Sequence, residues 1–192
     1  GAELIEVGAG DFDGAILLRN RLAEENGWFN GNQFNSEWNV EAHREGTGVE
    51  LIYQCEYNCF EPSAFVSGTG TGGTIMGAGE TLKYRFPNMG IVAIEPEESP
   101  VMSGGQPGLH GIQGIGDGSK FMVDLDFVDK IITIKTKDAK EMAKRLTKEY
   151  GLFIGISAGA NVLGSLKYAE LTGQDNILTI LCDRGERYLS CL

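Results

Sequence analysis

Apolar positions recur in two rhythms along the chain. Short unbroken runs occur in "SAFVSG", "MGIVAIEP", "FVDKIITIK" and "NILTILCD". Runs of this length, bounded by Gly, Pro or Asp, predict buried strands. Elsewhere apolar residues return every third or fourth position, the spacing of one helix face. "FDGAILLRNRLAEENG" is such a segment and ends on Gly27, a helix C-cap. "TIMGAGETLKYRF" is another, stopped by Pro87. "TKDAKEMAKRLTKEYG", capped by Gly151, and "AGANVLGSLKYAEL" complete the set. "SEWNVEAHREGTGVELIYQC" predicts one or two helices. Further short strands are expected at "AELIEVG", at "FIGIS", and at "GWFNGNQF", ending near Gln33 and Phe34. Residues 99–120 form a long glycine-rich loop. Strand–helix alternation of this kind predicts an α/β fold, an open and mostly parallel sheet covered by helices.

Composition narrows the class. The 192 residues suffice for one domain, or for one domain and part of another. Apolar content of 42% supports a real core, and no apolar run is long enough to span a membrane. The start, "GAELIEVGAG", has neither a basic n-region nor an apolar h-region, so no secretory signal is expected. The net charge of −11 argues against non-specific nucleic-acid binding, which needs clustered Lys and Arg. Cys55 and Cys59 form a C-x3-C, but the two histidines, His43 and His110, lie in unrelated contexts. No metal site is expected, and the four cysteines read as reduced thiols of a cytoplasmic protein. Glycine, at 28 residues, is about twice its average usage and clusters at loops.

The densest cluster is "FVSGTGTGGTIMG", residues 65–77. A strand, a glycine turn and a helix together make a phosphate cradle. Glycines let the backbone approach the anion, and the free N–H groups of the first helical turn point at it. Thr69, Thr71 and Thr74 can add hydroxyl donors. There is no Lys after the glycines, which excludes the nucleoside-triphosphate loop. Two ligands fit the spacing. Gly68, Gly70 and Gly73 match G-x-G-x-x-G, and Glu95 closes the next strand about 20 residues later, as in a dinucleotide-binding dehydrogenase. The same loop can hold one phosphate monoester, such as that of pyridoxal phosphate. A packing turn with no ligand is the third reading.

Four ordered motifs carry a resemblance. "GTGTGGTIMG", "EPEESPVMSGGQPGLHGIQGIGDG", "GLFIGISAGANV" and "CDRGERYLS" together resemble the cysteine synthase family. These are O-acetylserine sulfhydrylases, pyridoxal-phosphate enzymes of the tryptophan synthase β fold. "NQFNSEWNVEAHREGTGVEL" is similar to the family's "QF…NP…H…TGPE" segment, and the likeness runs along essentially the whole chain. It implies a three-layer open sheet of PLP fold type II. It implies that Gly70, Thr71, Gly72, Gly73 and Thr74 bind the cofactor phosphate and that Ser157 hydrogen-bonds the pyridine nitrogen. A neutral hydroxyl there would weaken the ring as an electron sink, which suits β-elimination and replacement over transamination. Read without the family, Ser157 is an N-cap. The resemblance places Gln33 near the substrate carboxylate and the loop containing Gly114 at the substrate entrance. It also implies a homodimer and docking of serine acetyltransferase. Ala158, Cys182 and Arg184 depart from the family's usual residues, and "CDRGERYLS" is nearer the B branch while "MSGGQPGLHGIQGIG" is nearer the A branch.

The family's chemistry needs a lysine that binds the cofactor and moves the substrate's α-proton. In the family it lies in an N-terminal "S-x-K-D-R" stretch, before a "T-S-G-N-T-G" loop. Neither stretch occurs here, so no catalytic lysine is assigned; Lys120 alone falls near the expected site. The expectation is therefore a chain with an incomplete N-terminal part. Residues 1–38 would be a remnant of the small mobile domain, and residues 39–192 the large phosphate-binding domain. The resemblance implies cysteine formation from O-acetyl-L-serine and sulfide. A cystathionine or lanthionine β-synthase, or an NAD-binding Rossmann fragment, is the alternative.

Overall fold

The computed structural model describes residues 1–8 and 10–191. Four parallel strands form one sheet: β1 (Ala64–Gly68), β2 (Gly90–Pro96), β3 (Lys130–Ile134) and β4 (Ile177–Thr179). Their order is β3-β2-β1-β4. The register pairs Val66 with Val92, Ile94 with Ile132 and Ala64 with Ile177.

Because side chains alternate across a strand, the two central strands feed two cores. Phe65, Ile91 and Ala93 point to one face. There they meet Ile75, Met76 and Leu82 of α4 (Gly73–Arg85), and beyond it Val40, Leu51 and Cys55. Ala64, Val66, Val92 and Ile94 point to the other face, against Ile156, Ala160 and Tyr168 of α6 (Ile156–Thr172). A further helix, α5 (Thr136–Tyr150), lies on α6 with Ala139, Met142, Ala143 and Leu146 buried, a stripe at helical spacing. Gly159 is what lets the two helices close: a Cβ there would sit 2.4 Å from the Ala139 carbonyl oxygen. The result is the expected three-layer α/β sandwich.

Residues 37–57 form two helices joined without a break, α2 (Glu37–Ala42) and α3 (Gly48–Tyr57), through a π-turn at His43–Thr47. Ahead of them α1 (Phe12–Asn26) is capped by Asp11, whose Oδ1 accepts from Gly14 N at 2.9 Å, and by Gly27 in the left-handed region. None of its side chains is buried.

Three expected strands do not form. Residues 2–8 have no strand to pair with among the described residues, and a lone strand has no ladder to stabilise it. Gln33 and Phe34 lie in a single 3-10 turn, Gln33–Asn35, after Asn32 with a positive φ. In "FIGIS" only Ile154 bridges, antiparallel to Arg184, because the chain passes directly into α6. The long loop at 99–120 is without helix or strand. Its first turn is fixed by Glu95, whose carboxylate accepts from Met102 N (2.7 Å), Ser103 N (3.0 Å) and the Ser103 hydroxyl.

Candidate cofactor site

The chain runs from β1 outward to β2 and β3, then returns to place β4 on the other side of β1. The order reverses at β1, and ligands of open α/β sheets bind at the carboxyl ends of strands at such a point. β4 ends at Thr179, so the ladder between β1 and β4 stops there. Asn161, fully buried on α6, continues the link with its side chain. Its Oδ1 accepts from Gly68 N (2.8 Å) and its Nδ2 donates to Ile180 O (2.9 Å).

Above this crevice, Gly68–Gly73 turn into α4 around a cavity of about 580 Å³. Gly72 caps the helix at φ 92 and carries no side chain to satisfy the first N–H groups. Gly73 N donates to Thr71 Oγ1 at 3.3 Å; the donors that follow it in the first turn point at the cavity, where the helix dipole favours an anion. A Cβ would not fit here. At Gly70 it would lie 2.6 Å from Gly114 O, at Gly72 2.9 Å from Val123 N, and at Gly73 2.1 Å from Asn39 Oδ1.

The cavity gathers Gly70, Thr71, Gly72, Gly73, Thr74, Ser157, Gln33 and Gly114 on one wall or another. Thr69 is not among its polar donors: its hydroxyl is buried and donates to Ile94 O at 3.2 Å. Ser157 is not an N-cap. The helix begins one residue earlier, with Gly155 as the cap, and Ser157 sits in its first turn. Glu95 does not face the cavity. Its carboxylate is consumed by the 102–103 turn, so the ribose-binding role of the NAD reading has no free acid to perform it.

Residues that periodicity did not single out complete the site. Asn39 Nδ2 reaches both Thr71 Oγ1 (2.9 Å) and Gln33 O (2.8 Å), tying α2 to the phosphate loop. His43 stands in the π-turn with Nε2 3.2 Å from Thr74 Oγ1 and Nδ1 2.9 Å from Thr47 Oγ1. Burial lowers its pKa, so the ring is neutral at neutral pH. Asn39 and His43 are four residues apart on one helical face, the spacing that would have found them. At the far wall, Tyr188 donates to Asp183 Oδ2, while Asp183 Oδ1 is buried without a partner. Burial first, then Asp183, pushes Tyr188 up to about 12. Burial also pushes the Cys182 thiol up, opposed by the Ser157 hydroxyl.

The set fits a phosphorylated aromatic cofactor: a glycine cradle on a helix N-terminus at one end and a neutral hydroxyl, Ser157, at the other. No lysine lines the cavity among the described residues; Lys120 Nζ instead faces Val123 O at 3.4 Å. Nor, among the described residues, do three His, Cys, Asp or Glu side chains gather closely enough to hold a metal ion.

Comparison with known proteins names the class. The family model of pyridoxal-phosphate dependent enzymes matches residues 1–183. The chain belongs to this family. It is 43% identical over 193 residues to cysteine synthase of Staphylococcus aureus (strain Mu50), covering 99% of this chain and 62% of that protein. It is 42% identical over 159 residues to cysteine synthase B of Campylobacter jejuni, covering 82% of this chain and 52% of that protein. Among solved structures, a hydrogen sulfide-producing enzyme from Fusobacterium nucleatum superposes with a TM-score of 0.93 at 36% identity, over 100% of this chain and 59% of that one. Cysteine synthase from Entamoeba histolytica superposes at 0.89 and 41% identity, over 100% of this chain and 57% of that one. The chain thus spans under two thirds of the relatives it matches. Among the described residues no helix is long and apolar enough to cross a membrane.

Proposed function

We propose that this chain is the C-terminal part of a cysteine synthase, a transferase that replaces the acetate of O-acetyl-L-serine with sulfide. One observation carries the reading: the cradle, Ser157, Gln33 and Gly114 line a single cavity at the switch point of the sheet. Pyridoxal phosphate, when bound, supplies an electron sink at the substrate's α-carbon. Gly70, Thr71, Gly72, Gly73 and Thr74 would hold its phosphate, with Thr71 oriented by Asn39 and Thr74 by His43. Ser157, on the cavity wall, would offer the ring nitrogen a neutral partner, which would keep the sink weak and favour loss of a β-substituent. Gln33 and Gly114 receive the substrate carboxylate and frame its entrance. The covalent lysine belongs to the part of the relatives' length that this chain does not span.

The cysteine synthase relatives support the substrate pair, and the buried core beginning at Val40 supports a division near residue 38 into a small and a large domain. A homodimer, docking of serine acetyltransferase and a cytoplasmic setting complete the reading; the four free cysteines support a reducing compartment. The test is direct. The full-length protein carrying this chain, given pyridoxal phosphate, O-acetylserine and sulfide, forms L-cysteine and acetate in equal amounts. Bound cofactor without either product would sink the proposal. For the chain alone, borohydride reduction followed by intact mass should find no phosphopyridoxyl adduct, since no lysine among the described residues lines the cavity.

A further inference from the structure

We propose that Thr71 couples the two ends of the cavity: a phosphate bound on the glycine loop docks the Gln33–Asn35 turn through Asn39 and Phe121. The proposal rests on the reading of that loop as the cofactor's phosphate site, and it deepens the reading by joining the cofactor end to the substrate end.

Two struts run from Thr71 to the same short turn. The first is made of side chains. Asn39 Nδ2 donates to Thr71 Oγ1 (2.9 Å) and, with its other proton, to Gln33 O (2.8 Å). The second runs through backbone and rings. Met122 N donates to Thr71 O (3.1 Å), which sets the neighbouring Phe121, and the Phe121 ring lies against Phe34 with centroids 4.7 Å apart. The struts leave from the hydroxyl and the carbonyl of one residue and arrive at two consecutive residues. Thr71 and Gln33 both line the cavity.

Neither strut has slack. Asn39 Oδ1 is pressed against Gly73, where a Cβ would be 2.1 Å away. A Cβ on Gly72 would be 2.9 Å from Val123 N, so the 121–123 turn lies flush on the loop. Strain flanks the aromatic contact. Asn32, just before the Gln33–Asn35 turn, has φ 39, and Phe121 has φ 44. A bulky side chain at positive φ is an outlier that persists only where its surroundings hold it. Other contacts of the turn, such as Phe12 on Phe34 and Arg19 on Asn32, lie within residues 1–38, where α1 buries nothing. The struts tie it to the phosphate loop.

The Thr71 hydroxyl is the group on which an anion acts. A hydroxyl has one proton to give and two lone pairs. Asn39 Nδ2 and Gly73 N (3.3 Å) occupy the lone pairs, so the proton is left for the cavity. A phosphate oxygen accepts it. A hydroxyl that donates is a better acceptor, so the bond from Asn39 tightens and holds the amide on Gln33 O. Phosphate bonded to the backbone N–H groups of the loop also fixes Thr71 O, and with it Met122 and Phe121. The two states are the turn docked and the turn released. The coupling is reciprocal: a ligand that holds the turn strengthens phosphate binding by the same factor.

The full-length protein carrying this chain, freed of cofactor, is followed by deuterium exchange with and without saturating inorganic phosphate, whose binding calorimetry measures separately. The reporters are the amides of Asn32 and Asn35, which donate to Asn30 Oδ1 and Asn32 O at 3.0 Å. Phosphate should slow both by about fivefold, the lower end of measured couplings. Asn39→Ala should still bind phosphate and lose the slowing, and Phe121→Leu should cut it to about twofold. A merely structural defect would speed exchange equally with and without phosphate. In the loaded enzyme Asn39→Ala should raise KM for O-acetylserine by about fivefold, a larger effect than on kcat. Should Asn39→Ala fail to fold, Phe121→Leu alone decides. If phosphate binds and the two amides exchange at one rate with and without it, or if the slowing survives in both variants, the coupling falls and the cysteine synthase reading stands. If neither inorganic phosphate nor pyridoxal phosphate binds, the reading itself falls and takes the coupling with it.

Discussion

Asn161 is the residue whose replacement should tell most about how the crevice is built. It is fully buried and satisfies two backbone groups, Gly68 N at 2.8 Å and Ile180 O at 2.9 Å, where β1 and β4 part. Asn161→Leu keeps the volume and removes both partners. Each orphaned group costs about 1–3 kcal/mol if it stays dry. The cavity beside them admits water, so the expected loss is nearer the lower end, about 2–3 kcal/mol. Asn161→Asp makes a sharper test. One carboxylate oxygen can still accept from Gly68 N, but the other would face the Ile180 carbonyl, acceptor against acceptor. Only the protonated acid can donate there, so folding holds the proton and raises this group's pKa above its unfolded value. The contribution is then present below about pH 4 and lost as pH rises through the folded pKa. Urea unfolding at several pH values measures it. Asn161→Asp should approach wild-type stability in acid and fall to or below Asn161→Leu at neutral pH. A flat profile at wild-type stability, or a loss under about 0.5 kcal/mol for Asn161→Leu, would refute the bridging role.

Three further outcomes follow from the geometry. Gly77→Ala should destabilise by about 3 kcal/mol or more by thermal unfolding, because its Cβ would sit 2.1 Å from Val40 O and force α4 off α2. Tyr188 carries a pKa of about 12 in the fold against 10.0 unfolded, so its contribution is complete below pH 10 and is lost as pH rises toward 12; Tyr188→Phe should flatten that alkaline limb in stability titrations. Arg44→Ala should cost no more than about 1 kcal/mol in urea, since Arg44 Nε and Nη2 both donate to the single oxygen Glu80 Oε2 and the pair is more than a third exposed.

Much of this architecture was legible because it is written locally. β1, β2, β3, α4, α5 and α6 each carry their own period and their own stops, such as Pro87 and Gly151. The phosphate loop is legible for the same reason: strand, glycines and helix are contiguous. Asn39, His43 and Asn161 were not, because each serves a partner distant in sequence, such as Thr71, Thr74 and Gly68. The four-residue spacing of Asn39 and His43 marks a shared polar face but not what the fold brings to it, and Asn161 is the lone amide of its helix. Ile154 shows the converse: "FIGIS" has strand composition, but Gly155 N and Gly185 N turn to Asp183 O and Phe153 O, closing a bridge instead of extending the sheet. Glu95 shows how a motif misleads. The spacing placed an acid where a ribose could use it, and the fold spends that acid on the turn at 102–103.

The absence of any buried side chain in α1 has a consequence for how the molecule opens. Its caps hold the helix to itself, while the aromatic chain Phe12–Phe34–Phe121, with centroids 5.6 and 4.7 Å apart, and two exposed or half-buried side-chain bonds, Arg19 to Asn32 and Asn30 to Asn20, join it to the rest. Opening this segment exposes little apolar surface, so its amides should exchange with deuterium long before those of β1 and β2. Gln33 lies on that side of the divide. The chain therefore sets the glycine-loop end of its cavity on the slow-opening sheet and the Gln33 end on a segment that opens early.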